Sequence, residues 1–292
     1  MPSIDTSYEP FSREAEYIEI NRLFVESLDW EGCAYALDLA CGAGTLTGFI
    51  WRNMEARSGD GRLRVVGADV STESLKIAQS QLSDVAKELG REASCPIVLI
   101  RASADALPIP DRVADAVVLG NAIHIFDDIE RLLNEVARVL RPGGIFAFNS
   151  SFFAGTFAPG TEDFYLEWMK QAVMYIRNQD GEQRRLGMAG VRRKRGLAAP
   201  AFSRPWLSAG QYECLLNRCG FTVSSVNQRT MQMSQRSFET VGAYSGLASV
   251  LLSGYPVDLA CEALQAAVAP ALAAGNITQV SRYWLEVAAV RR

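Results

Sequence analysis

One run of nine residues, Leu37-Asp38-Leu39-Ala40-Cys41-Gly42-Ala43-Gly44-Thr45, constrains this chain more than any other. It reads as a buried strand that breaks into a glycine turn and opens a helix. In a doubly wound α/β sheet that junction is where a nucleotide-like ligand is held. Glycine lets the backbone pass close to a ligand with no Cβ in the way, and the start of the helix offers unpaired N–H groups. A dinucleotide site wants a third glycine three residues after Gly44; the chain has Thr47 there, with Gly48 one place late. The run therefore points to a nucleotide-like ligand other than a dinucleotide.

The first half of the chain repeats the pattern. Strands are expected over 35–40, 63–69, 96–102, 114–121 and 144–150, with helices over 45–57, 72–89 and 128–140 between them. Ser71 is placed to cap the second helix, and Arg141-Pro142-Gly143-Gly144 to stop the third. This alternation is the signature of a parallel sheet with crossover helices. After Ser151 it fails. An aromatic stretch with a helix over 161–176 leads into a basic segment, then come a helix over 208–218, an extended run over 221–233, helical sequence over 237–274 and a last strand over 282–290.

Composition narrows the partners. The 292 residues are 49% hydrophobic with a net charge of -4, which describes a globular chain with ample core material and no basic excess for nucleic acid or an anionic membrane. The best candidate membrane span, residues 257–275, is interrupted by Asp258, Glu262 and Gln265, and the first residues lack the blocks of a signal peptide, so a cytoplasmic location without stable membrane insertion is expected. Six scattered cysteines with no CxxC pair, and one histidine, predict free, mostly buried thiols and no metal site.

Ligands of open α/β sheets sit outside the carboxyl ends of the strands. The second strand ends in Gly67-Ala68-Asp69, whose carboxylate can accept both hydroxyls of a ribose; the alternative is that it only caps the next helix. The third runs into Ser103-Ala104-Asp105-Ala106-Leu107-Pro108, and the fourth into Gly120-Asn121-Ala122-Ile123-His124.

With these motifs in this order, the chain resembles the class I S-adenosylmethionine-dependent methyltransferases, particularly the small-molecule branch containing the ubiquinone and menaquinone methyltransferases. The resemblance covers roughly residues 35–150 and implies an α/β fold: a doubly wound, seven-stranded, mostly parallel Rossmann-like sheet with helical cap insertions. It implies S-adenosyl-L-methionine as cofactor. Ala40, Gly42 and Gly44 would pass under its methionine part, Asp69 would take its ribose, Ser103 and Ala104 would flank its adenine, Asn121 would approach its amino group, and Val70 beside Asp69 would join the cofactor-binding set. Asp38 either joins this set or orients the glycine turn through backbone N–H groups. One departure is that the family places Asp-Ala before its Leu-Pro pair, whereas this chain has Ser103-Ala104-Asp105. A hydroxyl accepts the adenine amine more weakly than a carboxylate does.

The implied activity is methyl transfer to a hydrophobic small-molecule metabolite at O, N or C. The alternative is a protein of this fold that binds the donor without transferring its methyl group. His124 is the general-base candidate, being the only group titrating near neutrality by its nature; alternatively it only shapes the pocket. Tyr8 and Tyr17 either fold over the cofactor or belong to a packed N-terminal helix. The basic cluster Arg184, Arg185, Arg192, Arg193, Lys194 and Arg195 reads as a solvated loop or as a lid meeting an anionic substrate. The expected organisation is a cofactor-binding core with its N-terminal helix over 1–151, a cap over 152–205, a return to the core over 206–234, a helical insertion over 235–277 and the last core strand over 278–292. The apolar insertions either roof a substrate pocket or form the interface of a homo-oligomer.

Overall fold

A computed structural model describes residues 8–57, 63–185 and 205–292. Its strands are β1 (Tyr35–Leu39), β2 (Arg64–Asp69), β3 (Ile97–Arg101), β4 (Ala114–Gly120), β5 (Leu140–Ser150), β6 (Phe221–Ser234) and β7 (Gln279–Arg291). They form one seven-stranded sheet in the order β3-β2-β1-β4-β5-β7-β6. The pairs β1–β2, β2–β3, β1–β4 and β4–β5 are parallel, and β7 runs antiparallel to β5. The chain works outward from β1 to β3 and then returns to β4 on the other side of β1. Strand order therefore reverses at β1, which makes its carboxyl end the switch point of the sheet.

Helices α1 (Glu9–Ser12) and α2 (Ala15–Glu26) precede the sheet, and α3 (Thr45–Arg57), α4 (Thr72–Glu88) and α5 (Ile129–Val139) are its crossovers. The later helices are α6 (Glu162–Arg185), α7 (Ala209–Arg218), α8 (Gln235–Ala243), α9 (Ser245–Leu251), α10 (Val257–Ala266) and α11 (Val268–Gly275). Caps fix the starts of α4, α5 and α7: Ser71 accepts the Ser74 N–H, Asp128 accepts that of Arg131, and Ser208 forms a capping box with Gln211. Phe24 and Val25 of α2 and Ile50, Trp51 and Met54 of α3 are buried in one cluster with Ala36, Val65, Val118 and Ala147 of the sheet. Side chains alternate across a strand, so Phe146 and Phe148 point to the opposite face, where their rings meet those of Phe221 and Tyr212 at 5.8 and 5.0 Å. Both faces are covered, as a parallel sheet requires.

Three elements differ in extent from the sequence reading, the last strand by starting three residues early, at Gln279. The fifth strand begins at Leu140 and not at residue 144: Leu140 pairs with Ala114 and Ile145 with Ala116, so Arg-Pro-Gly-Gly loops out within the strand, with Gly143 at φ 78° and Arg141 paired to Asp115 at 2.7 Å. Helix α6 runs nine residues past 176, from Arg177 to Arg185. That last stretch has no apolar face, and an Arg184–Asp180 pair at 3.0 Å, one turn apart, supports it.

The chain divides into two compact units. One comprises Ile18–Ala154, Trp206–Arg229 and Trp284–Arg292 and holds β1 to β5 with most of β6 and β7; the other comprises the described parts of Met1–Tyr17, Gly155–Pro205 and Thr230–Tyr283. The second unit is mainly helical, with Trp168 of α6 donating its Nε1–H to the Leu264 carbonyl of α10 at 2.8 Å, stacking on Phe164 and meeting Phe238 edge-on. Tyr8 packs edge-on against Phe11, Tyr17 and Tyr244 in the same unit, an aromatic cluster of the N-terminal helices. Residues 257–275 meet the length and hydropathy of a membrane span, but they fold as two helices, and Ala260, Cys261, Ala263 and Leu264 of the first are buried. Of the six free cysteines, Cys33, Cys41 and Cys261 are buried, whereas Cys95 and Cys214 are exposed.

Candidate functional site

The carboxyl ends of β1, β2 and β4 converge through the sheet register. Leu39 lies between Ala68 of β2 and Leu119 of β4, so the glycine turn emerges between Asp69 and Asn121. The turn is built from left-handed backbone: Ala40, Gly42 and Gly44 have φ of 50°, 53° and 85°. The two glycines serve different purposes. A Cβ on Gly44 would lie 3.0 Å from Ala78 Cβ and 3.2 Å from its Cα, so this glycine lets α4 approach the turn. A Cβ on Gly42 would meet nothing within 4 Å, which leaves an open space over the backbone that a ligand can fill.

Asp69 ties the site together. One carboxylate oxygen accepts the Gly42 N–H at 2.9 Å and the other the Ser71 N–H at 2.8 Å. The residue thus anchors both the turn and the start of α4, while each oxygen retains a lone pair for a ligand hydroxyl. Val70, beside it, is 62% exposed and its carbonyl accepts Arg101 Nε–H at 3.1 Å.

Asp38 lies beneath the turn. It is buried, and its carboxylate accepts the Thr47 hydroxyl at 2.6 Å. Thr47, itself buried, stands where a dinucleotide fold has its third glycine, and here it clamps Asp38. Burial pushes the Asp38 carboxyl up to about 7, the bonds from the Thr47 hydroxyl and N–H oppose the shift, and the Asp69 charge adds to it. A carboxyl raised in the folded state stabilises the fold most below its unfolded value of 3.8 and loses that contribution as pH rises toward 7, a span of about 4 kcal/mol. Asp38→Asn, which keeps an acceptor for Thr47, is expected to remove this decline. Urea midpoints measured from pH 4 to 8 check it, and an unchanged slope would contradict the assignment.

Asn121 adopts φ 45° and closes a buried network. Its N–H donates to Asn149 Oδ1 at 2.8 Å, its own Oδ1 accepts the Ser151 N–H at 2.7 Å, and Asn149 Nδ2 donates to Asn21 Oδ1 of α2 at 2.8 Å. Sequence reading missed Asn21, Asn149 and Ser151. The signal available was polar Asn149-Ser150-Ser151 at the end of an otherwise apolar strand.

Ser103 sits one strand outward from Asp69, since the Ala102 N–H donates to the Asp69 carbonyl at 3.0 Å. Its hydroxyl donates to Asp105 at 2.5 Å, and neighbouring Ala104 is buried. His124 lies in the short turn after β4, half-buried, its ring 4.2 Å from that of Phe152, which meets Trp206 edge-on at 5.6 Å. Arg184 and Arg185 form the last turn of α6, while Arg192, Arg193, Lys194 and Arg195 lie outside the described residues. Among the described residues no cluster of three His, Cys, Asp or Glu side chains could hold a metal ion.

Residues 37–148 match the family described as "Methyltransferase domain". A demethylmenaquinone methyltransferase of Symbiobacterium thermophilum is 33% identical over 127 residues, covering 43% of this chain and 46% of that protein. A ubiquinone/menaquinone biosynthesis C-methyltransferase of Hahella chejuensis is 35% identical over 111 residues, 38% of this chain and 40% of that protein. The chain thus matches less than half the length of these curated relatives. The solved YcgJ protein of Bacillus subtilis shares the fold at 17% identity, with a TM-score of 0.51 over 94% of this chain and 99% of its own. The matched residues, 37–148, contain the glycine turn, Asp69 and Asn121.

Proposed function

We propose that this protein is an S-adenosyl-L-methionine-dependent methyltransferase acting on a hydrophobic small molecule in the cytoplasm. The observation that carries the reading is Asp69 at the end of β2, whose carboxylate holds the Gly42 N–H and keeps lone pairs for a ribose beside the open space over Gly42. Gly42 and the strained Ala40 would pass under the methionine part, Asp69 would take both ribose hydroxyls, Ser103 and Ala104 would flank the adenine, and Asn121 would hold the amino group. When bound, the cofactor supplies an electrophilic methyl group on a sulfonium. Asp38 acts from beneath, through Thr47, by fixing the first turn of α3.

An in-line displacement gains most from alignment, since oriented reactants have about 7–11 kcal/mol of the barrier removed by proximity. Fixed strand ends, held by the Asp69 and Asn121 hydrogen bonds, are what this chain provides for that. The half-buried rings of His124 and Trp206, both backed by the buried Phe152, would border an acceptor ring, consistent with relatives named for quinones. Binding of the donor without transfer is not favoured, because the matched family and relatives carry methyltransferase names.

The test is isotopic: methyl-labelled S-adenosylmethionine is incubated with demethylated quinols and with unrelated apolar phenols and amines. Label entering one acceptor class together with equimolar S-adenosylhomocysteine supports the reading; tight donor binding with no transfer to any acceptor overturns it. His124 packs on Phe152 as a wall of the site. His124→Ala is therefore expected to lower turnover less than tenfold with donor affinity intact, whereas a hundredfold loss in the rate above pH 7 would make it an essential base.

A further inference from the structure

The turn after β3 departs from its family in having a hydroxyl at position 103 and a carboxylate two residues on. We propose that Asp105, acting through the Ser103 hydroxyl, makes this turn select a 6-amino purine over a 6-oxo purine; the inference rests on the donor site proposed above. Ser103 gives its single hydroxyl proton to Asp105 Oδ1 at 2.5 Å. A carboxylate has no proton to return, so the Ser103 oxygen is left as an acceptor only, polarised by the charge behind it. Arg131 Nε of α5 pairs with the other oxygen of Asp105 at 3.1 Å, which favours this orientation of the carboxylate. The turn itself is pinned at both ends: the Ala106 N–H donates to the Ser103 carbonyl at 3.0 Å, and the Ala102 N–H to the Asp69 carbonyl at 3.0 Å.

The base of a nucleoside whose ribose lies on Asp69 reaches the next strand outward, which is where Ser103 stands. An acceptor fixed there pairs with an exocyclic N–H and faces the oxygen of a 6-oxo base with lone pair against lone pair. A serine without Asp105 has no such bias, since its hydroxyl turns to donate or to accept as the ligand requires. Asp105 is thus a positioning residue for base specificity. It returns to the turn the negative charge that a serine at 103 removes.

Calorimetric titration with S-adenosylhomocysteine and S-inosylhomocysteine tests this. The wild type is expected to prefer the adenosyl compound by about tenfold or more, as a site built to hydrogen-bond a group rejects an analogue lacking it. In Asp105→Asn the preference is expected to fall below about threefold while the adenosyl affinity changes less than tenfold. Ser103→Ala, which leaves Asp105 and Arg131 in place, is expected to lose the preference as well. A merely structural role would weaken both ligands equally and leave the ratio unchanged. An unchanged ratio in Asp105→Asn, or equal binding of the two compounds by the wild type, overturns this inference alone; binding of neither overturns the donor site as well.

Discussion

Asp69→Ala is expected to weaken S-adenosylhomocysteine binding by on the order of a hundredfold or more. Hydrogen bonds to a charged group contribute about 1.5–3 kcal/mol each, and the proposed donor site gives this carboxylate two ribose hydroxyls. The same change releases the Gly42 and Ser71 N–H groups, which Asp69 holds at 2.9 and 2.8 Å, so the turn also loses its anchor. Asp69→Asn keeps acceptor oxygen but not the charge, and an intermediate loss is expected. Affinity of Asp69→Ala within threefold of the wild type would mean that the ribose lies elsewhere.

The two glycines of the turn are expected to fail in opposite ways. Gly44→Ala places a methyl group against Ala78 of α4 at 3.0 Å with φ at 85°, so overpacking of about 1–3 kcal/mol adds to a left-handed backbone cost of about 1 kcal/mol. The prediction is a loss of stability of about 2–4 kcal/mol in urea unfolding. Gly42→Ala meets no atom within 4 Å and carries only the backbone cost, yet its methyl group occupies the space assigned to the donor. Its stability is expected to fall by about 1 kcal/mol, and its donor affinity by more than tenfold. A stable Gly44→Ala, or a Gly42→Ala that binds the donor as the wild type does, would break the distinction.

How much of this was legible in the sequence depends on whether the signal was local. Helix α3 starts and stops where periodicity places it, and β1 to β4 end within a residue of their expected limits, because buried parallel strands are apolar runs bounded by turn residues. The glycine turn and the aspartate of the second strand were equally plain, since each is a residue type at a strand end. What escaped depends on partners distant in sequence. Asn149 matters because Asn21 and Asn121 come to it from 128 and 28 residues away. The start of β5 depends on how Leu140 finds Ala114, and the grouping of Tyr8 and Tyr17 with Tyr244 depends on rings meeting across most of the chain. Thr47 is the instructive case. In sequence it was a missing glycine that argued against one ligand; in the fold it is the partner that keeps a buried carboxyl tolerable.

The central claim is that this strand-end turn holds a sulfonium nucleoside and not a dinucleotide. Side-by-side calorimetric titration of the purified protein with S-adenosylmethionine and with NAD tests it most directly. One equivalent of S-adenosylmethionine bound, abolished by Asp69→Ala, with no heat from NAD, is the predicted result. Binding of NAD with none of S-adenosylmethionine, or S-adenosylmethionine binding that survives Asp69→Ala unchanged, would contradict it.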